Sequence, residues 1–346
     1  MRNVIFNFPY THGPSAIRWI VKTWENGFSQ HGYQTHICDD WRKLYEMLGR
    51  LQPDILFCDI VSSPIETEEF RSCLTEARRA GTKICLSVFW PLLAQPSQRA
   101  DALRHFDIAD LYYGEREEDS MSEFVKETGK CYVTIAHAAN PNIHFKVNAE
   151  DKYRCDLVFV GGKLQLKRWF NEELLPKLKR RYDVRIHGPG WTVQDNLLRA
   201  ASKLFRMGKL LSMSRRIDRH RFPIPDSEIS KVYNSAKIAL NFHEREADGM
   251  QPHHVVSQRT FHIAACGAFQ ISDPVKAINR YFPSGEIIRA ELDSKDWIEK
   301  IDFYLRNDDA RRELQNRAMA RAKNEHMVQH RVAFLLKLLA ASASRS

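Results

Sequence analysis

The chain has 346 residues, 43% of them hydrophobic and 27% charged, and a formal net charge of +9. That length fits two domains of ordinary size, and the apolar share supports a sizeable core and argues against global disorder. The positive balance is compatible with nucleic acid, an anionic membrane or phosphorylated small molecules and does not choose among them.

In chain order, Val4 to Phe8 reads as a buried strand with no apolar leader run before it. No stretch approaches the roughly 20 apolar residues of a membrane span, so a cytoplasmic protein is expected, with peripheral contact at the inner face of a membrane left open. A loop with Gly13 follows, then a helix over 15–27, a strand over 34–38, a helix around 41–51, a strand over 54–60 and a helix over 66–80 stopped by Gly81. Further strands are expected at 83–89, 111–113 and 132–135. Strands alternating with helices predict a parallel sheet covered on both faces, and this first domain is expected to span 1–150.

The pattern then restarts. A strand at 155–160 closes on Gly161-Gly162, a helix spans 167–182, and a strand at 184–187 ends in Gly188-Pro189-Gly190-Trp191. A helix over 226–235 has Asp226 as its expected N-cap, and a strand follows at 238–242. Next, a polar loop runs into a short apolar helix that Gly267 stops, and a strand begins at Ala268. A strand at 286–289 and helices at 296–305 and 308 to about 339 complete a second domain, expected over 151–325. Residues 326–346 are expected as a helix and tail returning toward the first domain.

The segment 196–221 interleaves Leu197, Leu204, Met207 and Leu211 with Arg199, Lys203, Lys209 and Arg215, and holds no acidic residue before Asp218. Such a basic amphipathic insertion either packs its apolar stripe on its own domain or lies on an anionic membrane surface. It lacks the interleaved aromatics of a nucleic-acid surface, and no nucleic-acid partner is expected. The seven cysteines form no Cys-x-x-Cys pair; they read as buried thiols in a reducing compartment.

Loops after the strands of a parallel sheet are where ligands bind. The loop and helix start at 253–260 combine His253, His254, Ser257, Gln258, Arg259 and Thr260 with free helix-end amides, which suits an anion. Arg259 sits where a helix dipole favours acids, so it is the first choice for a phosphate contact. Lys163, Lys167 and Arg168 follow the Gly161-Gly162 turn; Lys163 and Lys167 are four apart and share one face if the helix starts early. In the first domain, His12 is placed to act as a base or hold a substrate, Gly13 permits close approach, and Trp90 and Glu115 end strands on the same side. His243, His253, His254 and His262 do not share a metal-binding frame, and no metal is expected.

The runs Cys155-Asp156-Leu157-Val158-Phe159-Val160-Gly161, Val184 to Trp191, Tyr233 to His243, and Ser257-Gln258-Arg259-Thr260-Phe261 through Ala265-Cys266-Gly267 to Asp273 resemble the donor-binding domain of CgeB-like (spore-maturation-protein-like) glycosyltransferases. Asn324-Glu325-His326 to Arg331 and Ala138-Ala139-Asn140-Pro141 are similar to that family's crossing segments. The resemblance is close over about 155–335 and faint over 1–130. It implies an α/β GT-B fold, with two Rossmann-like domains facing a central cleft, the acceptor on the first and a nucleotide sugar on the second. It also implies retaining transfer without a metal or other cofactor, UDP being the expected nucleotide, to a glycan or lipid-linked acceptor in cell-envelope or surface-polysaccharide assembly. Glu244 or Glu246 is then the acid near the transferred sugar, and Gly161, Lys163, Lys167, Arg168, Ser257, Arg259, Thr260 and His262 form the donor side. The family's Glu-x7-Glu slots fall on His254 and His262; a neutral imidazole can accept a ribose hydroxyl bond, a charged one cannot. A catalytically inactive nucleotide- or glycan-binding protein is the alternative reading.

Overall fold

The computed structural model describes residues 2–8, 16–88, 98–163, 167–219, 221, 224–243 and 254–343. The chain divides into two compact units: one holds the N-terminal part up to Ala136 together with Val328 onward, the other holds His137–Met327. The division thus falls at 136/137 rather than near 150, because the segment after His137 packs into the second unit: Lys146 Nζ donates to the Gly267 carbonyl at 2.9 Å, and the Phe145 amide to Ser230 Oγ at 3.1 Å.

In the first unit, β1 (Arg2–Asn7), β2 (Tyr33–Cys38), β3 (Ile55–Asp59), β4 (Lys83–Ser87), β5 (Leu111–Gly114) and β6 (Tyr132–Thr134) form one sheet in the order β2-β1-β3-β4-β5-β6, every pair parallel. The central strands read as unbroken apolar runs because both faces are covered. The covering helices are α1 (Ala16–Gln30), α2 (Leu44–Leu51), α3 (Glu68–Arg79), α4 (Gln98–His105) and α5 (Ser122–Thr128). The last two carry weak apolar patterns and are not foreseen from the sequence. Phe6, Trp24, Phe28 and Phe57 meet as a ring cluster between β1, β3 and α1, with Phe6 and Phe57 stacked at 4.9 Å.

The second unit repeats the plan. Its strands are β7 (Cys155–Val160), β8 (Val184–His187), β9 (Ala236–Asn241), β10 (Gln270–Ser272) and β11 (Ile288–Arg289), in the order β11-β10-β9-β7-β8, again all parallel. The chain adds β8 on one side of β7 and then crosses to place β9 on the other, so β7 and β9 flank a topological switch point. Its helices are α6 (Leu175–Arg181), α7 (Val193–Met207), α8 (Leu211–Arg219), α9 (Ile229–Ser235), α10 (Gln258–Ala265), α11 (Ile278–Tyr281), α12 (Ser294–Arg306) and α13 (Asp308–Glu325). Trp297, Phe242, Phe170 and Phe159 fill its core.

Four sequence expectations change. The helix expected over 167–182 is a short first turn, a wide π turn at Phe170–Leu174 and then α6, whose second position is Pro176. Asp226 lies inside a 3-10 turn whose cap position is Pro225. Residues 196–221 form two antiparallel-packed helices, α7 and α8, joined where Lys209 takes a left-handed φ of 60°. The long C-terminal helix breaks at His326-Met327, after which α14 (Val328–Ala343) packs on α1 in the first unit. His326 causes the break: its ring is buried among Phe261, Tyr281 and Phe282, with Nε2 2.8 Å from the Tyr281 carbonyl oxygen.

Candidate functional site

The switch point of the second unit collects groups from four strand ends. After β7, Gly161 turns the chain; its amide donates to the His187 carbonyl at 2.8 Å and its carbonyl accepts from Trp191 Nε1 at 2.7 Å. After β8, Gly188 lies so close to this turn that a Cβ there would meet Gly161 O at 2.1 Å. Lys163 follows, its amide bonded to the Pro189 carbonyl at 2.9 Å and its ammonium 5.8 Å from the Trp191 ring. The two glycine turns therefore clamp each other and hold a lysine and a tryptophan beside the switch point.

From the other side comes α10. Arg259, in its first turn, donates from Nη2 to the Phe242 carbonyl at 2.6 Å, and its guanidinium lies 5.4 Å from the Phe159 ring. A Cβ on Gly161 would be 3.1 Å from Arg259 Nη1. One cation thus spans the ends of β7 and β9. Ser257 is the N-cap by backbone geometry but makes no side-chain cap; its hydroxyl donates to Asn241 Oδ1 at 3.1 Å, which leaves the leading amides of α10 uncapped by it. A helix start beside a fixed guanidinium favours an anion.

Beneath this surface lies a polar network that fixes α10 to the sheet. Asn241 Nδ2 donates to Thr260 Oγ1 at 2.8 Å and to Gln270 Oε1 at 3.1 Å, and Gln270 Nε2 donates to the Thr260 carbonyl at 2.9 Å. His243 donates its amide (3.1 Å) and Nδ1 (2.6 Å) to Asp273 Oδ1. Asn241, Thr260 and Asp273 are fully buried. A buried polar network is tolerated only when its members are paired, and one that is paired specifies a single arrangement. The sequence shows its signal as polar residues, Asn241, His243, Gln270, Ser272 and Asp273, interrupting apolar strands. Their convergence is invisible there because they come from separate strands.

Among the expected site residues, Gly161, Lys163, Ser257 and Arg259 come together. Thr260 is adjacent but enclosed, its hydroxyl committed to Asn241. Lys167 is 1% exposed, and Lys163 stands in the loop before the helix, so the two do not share a helix face. Arg168 points outward and pairs with Glu172 at 2.8 Å, an exposed pair of small energetic weight. His262 is buried and stacks on His144, ring centres 3.8 Å apart and planes 15° apart. Burial, and then the neighbouring imidazoles, hold its pKa well below the usual 6.5, so it is neutral; it packs α10 against the segment after His137. His254 is exposed. His12, Gly13, Trp90, Glu244, Glu246 and His253 lie outside the described residues. Among the described residues no three His, Cys, Asp or Glu side chains are grouped to hold a metal. None of the seven cysteines is paired; five are buried, Cys73 is half-buried and Cys131 is exposed, contrary to the expectation that all are buried.

Residues 166–337 match the family model described as glycosyl transferase-like, a span that takes in most of the second unit and runs into α14. Over the whole chain the structure is similar to sucrose-phosphate synthase from Thermosynechococcus elongatus (TM-score 0.64, 10% identity, 100% of each chain covered) and to HepE from Anabaena in complex with UDP and glucose (TM-score 0.59, 11% identity, 97% of this chain and 99% of that one). It is also similar to a candidate UDP-N-acetylglucosamine 2-epimerase from Listeria monocytogenes (TM-score 0.52, 8% identity, 99% and 97% covered). No curated protein matches the sequence. The two Rossmann-like, parallel-sheet units are those of the GT-B fold. At these identities the structural likeness speaks for fold alone, since one fold hosts several chemistries. The family match adds a likeness to glycosyl transferases over residues 166–337.

Proposed function

We propose that the protein transfers a sugar from a nucleotide-sugar donor, with the donor diphosphate held at the switch point of the second unit. The observation that carries this reading is Arg259, fixed to the Phe242 carbonyl and lying against Gly161, in the first turn of a helix whose N-cap Ser257 makes no side-chain cap. Arg259 and Lys163 would take the charge that develops on the leaving diphosphate, a stabilisation that preorganised cations and amides supply without a metal. UDP is the proposed nucleotide; HepE, whose fold this chain shares, is seen with UDP. Retention of configuration and a glycan or lipid-linked acceptor in surface-polysaccharide assembly complete the proposal, as does a cytoplasmic location, with which unpaired thiols accord. His12 and Glu244 are the proposed catalytic residues.

Calorimetric titration with UDP-, GDP- and dTDP-sugars, followed by assay of nucleotide release, tests the reading. One donor should bind, and Arg259→Ala should weaken it by about 1.5–3 kcal/mol, the scale of a charge-assisted hydrogen bond. An unchanged Kd removes Arg259 from the site. Binding without turnover, with or without acceptor glycans, would favour the inactive binding protein instead.

A further inference from the structure

The hairpin of α7 and α8 is built inside out. What it encloses is polar. Ser202 and Ser214 share a 2.9 Å hydrogen bond between the helices, and Arg221 closes on Asp195 at 3.0 Å and on Asp218 at 3.4 Å, with Arg206 on Asp218 at 3.0 Å. Asp195, Ser202, Ser214 and Asp218 are all buried.

What it presents to solvent is apolar. Val193, Leu197, Leu204 and Met207 on α7 are 67–77% exposed, and Leu210, Leu211 and Met213 at the turn and on α8 are 48–52% exposed. With Ala200, which is also exposed, the α7 positions step by four, three, four and three, which lines them along one helix face. A soluble helical hairpin ordinarily turns such a stripe inward; here the fully buried positions are the serines and the acids of the ion pairs, with Leu198, Phe205 and Ile217 half-buried, and the stripe faces out. Scattered exposed apolar side chains need no explanation, but a continuous stripe does.

The charges identify the partner. Arg199, Lys203 and Arg206 border the stripe on one flank, Lys209 sits in the turn and Arg216 on α8, all exposed. The acids of the hairpin, Asp195 and Asp218, are buried in its interior, so its outward face carries one sign. A second copy of the chain laid on the stripe would bring cation against cation. An anionic lipid surface accepts both components, since apolar side chains enter the acyl boundary while lysine and arginine stems reach back to the headgroups.

We propose that α7 and α8 dock the second unit on an anionic membrane surface, with Leu197, Leu204 and Met207 entering the bilayer interface and Arg199, Lys203 and Lys209 on its phosphates. This docking does not depend on the donor-site reading. Flotation with phosphatidylcholine vesicles, with and without phosphatidylglycerol, tests it on the full chain. The protein should float with the anionic vesicles and not with the neutral ones, and added salt should weaken the association. Substituting R199Q, K203Q and K209Q should lower the partition coefficient about fivefold for each charge removed. Substituting L197Q, L204Q and M207Q should lower it by on the order of tenfold or more. Both triple variants alter exposed positions and should keep the parent Tm. Failure of the parent chain to float, or flotation that either variant leaves unchanged, overturns the proposal. So does light scattering that finds a dimer which the apolar variant converts to monomer, since the stripe would then join two copies.

Discussion

At Gly188 the second unit has no room for a side chain. A methyl group there would stand 2.1 Å from the Gly161 carbonyl oxygen and 3.1 Å from the Gly162 nitrogen, both backbone atoms that cannot swing away. Gly190 repeats the constraint against Lys163, at 3.3 Å and with a φ of +87°. The Gly-Pro-Gly-Trp run is conspicuous in the sequence, but the reason for its glycines, the approach of a second glycine turn 27 residues earlier, is a tertiary fact. Gly188→Ala is expected to destabilise the protein by about 1–3 kcal/mol, the usual cost of overpacking. It should also weaken donor binding, because Gly161 anchors Trp191 and lies against Arg259. Differential scanning calorimetry and a donor titration check both; an unaltered Tm would show that the turns can part without cost.

At the scale of elements, α10 is held from two sides, by the Asn241 network and by the histidine stack, and the stack makes its seating sensitive to pH. Burial lowers the pKa of His144 to about 3, its Nδ1 accepting the Asn140 amide at 3.0 Å, and burial holds His262 well below 6.5. Both rings are therefore neutral in the folded state while the unfolded chain protonates them near 6.5. The stabilisation they confer is complete above pH 6.5 and is lost as the pH falls below it, down to about 3 for His144. At pH 5 the share of His144 in that loss is about 2 kcal/mol. The Tm should fall between pH 7.5 and pH 5, and His144→Phe should reduce the size of that fall; an equal fall in the variant would place the acid sensitivity elsewhere.

The same scale shows what the sequence could convey. All eleven strands among the described residues are legible to within a few residues, because the central ones stand out as apolar runs and the edge strands β2 and β8 lie between glycine and polar breaks. Two parallel-sheet α/β units follow from that alternation, and the GT-B fold is what the resemblance over about 155–335 implies. Boundaries shift where tertiary contacts override local preference. His326 ends α13 inside an aromatic pocket, and Pro225 replaces Asp226 at a cap position. Around the candidate site, Arg259 and Gly161 are legible from helix-end and turn chemistry. The inward commitment of Thr260, Lys167 and His262 is not, since hydroxyl, ammonium and imidazole groups look alike in sequence whether they face a ligand or a neighbouring segment.

At the scale of the whole molecule, the first unit is assembled from two ends of the chain. Gly27 on α1 lies where any Cβ would meet Val328 and Val332 of α14 at 2.8 Å, and Arg331 Nε donates to the Ala136 carbonyl at 3.1 Å. Val21, Phe28, Val328 and Val332 are all nearly inaccessible. A chain ending at Met327 should retain the cooperative unfolding transition of the second unit, whose contacts are internal to 137–327, and lose or strongly lower that of the first. Calorimetry of the shortened chain decides the matter, and two intact transitions would show that α14 is dispensable. Seen from the ribosome, this arrangement reverses the order in which the units mature. Domains ordinarily fold as they emerge, the N-terminal one first. Here the part before Ala136 must wait, its α1 face uncovered, until α14 has been synthesised, while 137–327 can already be folded.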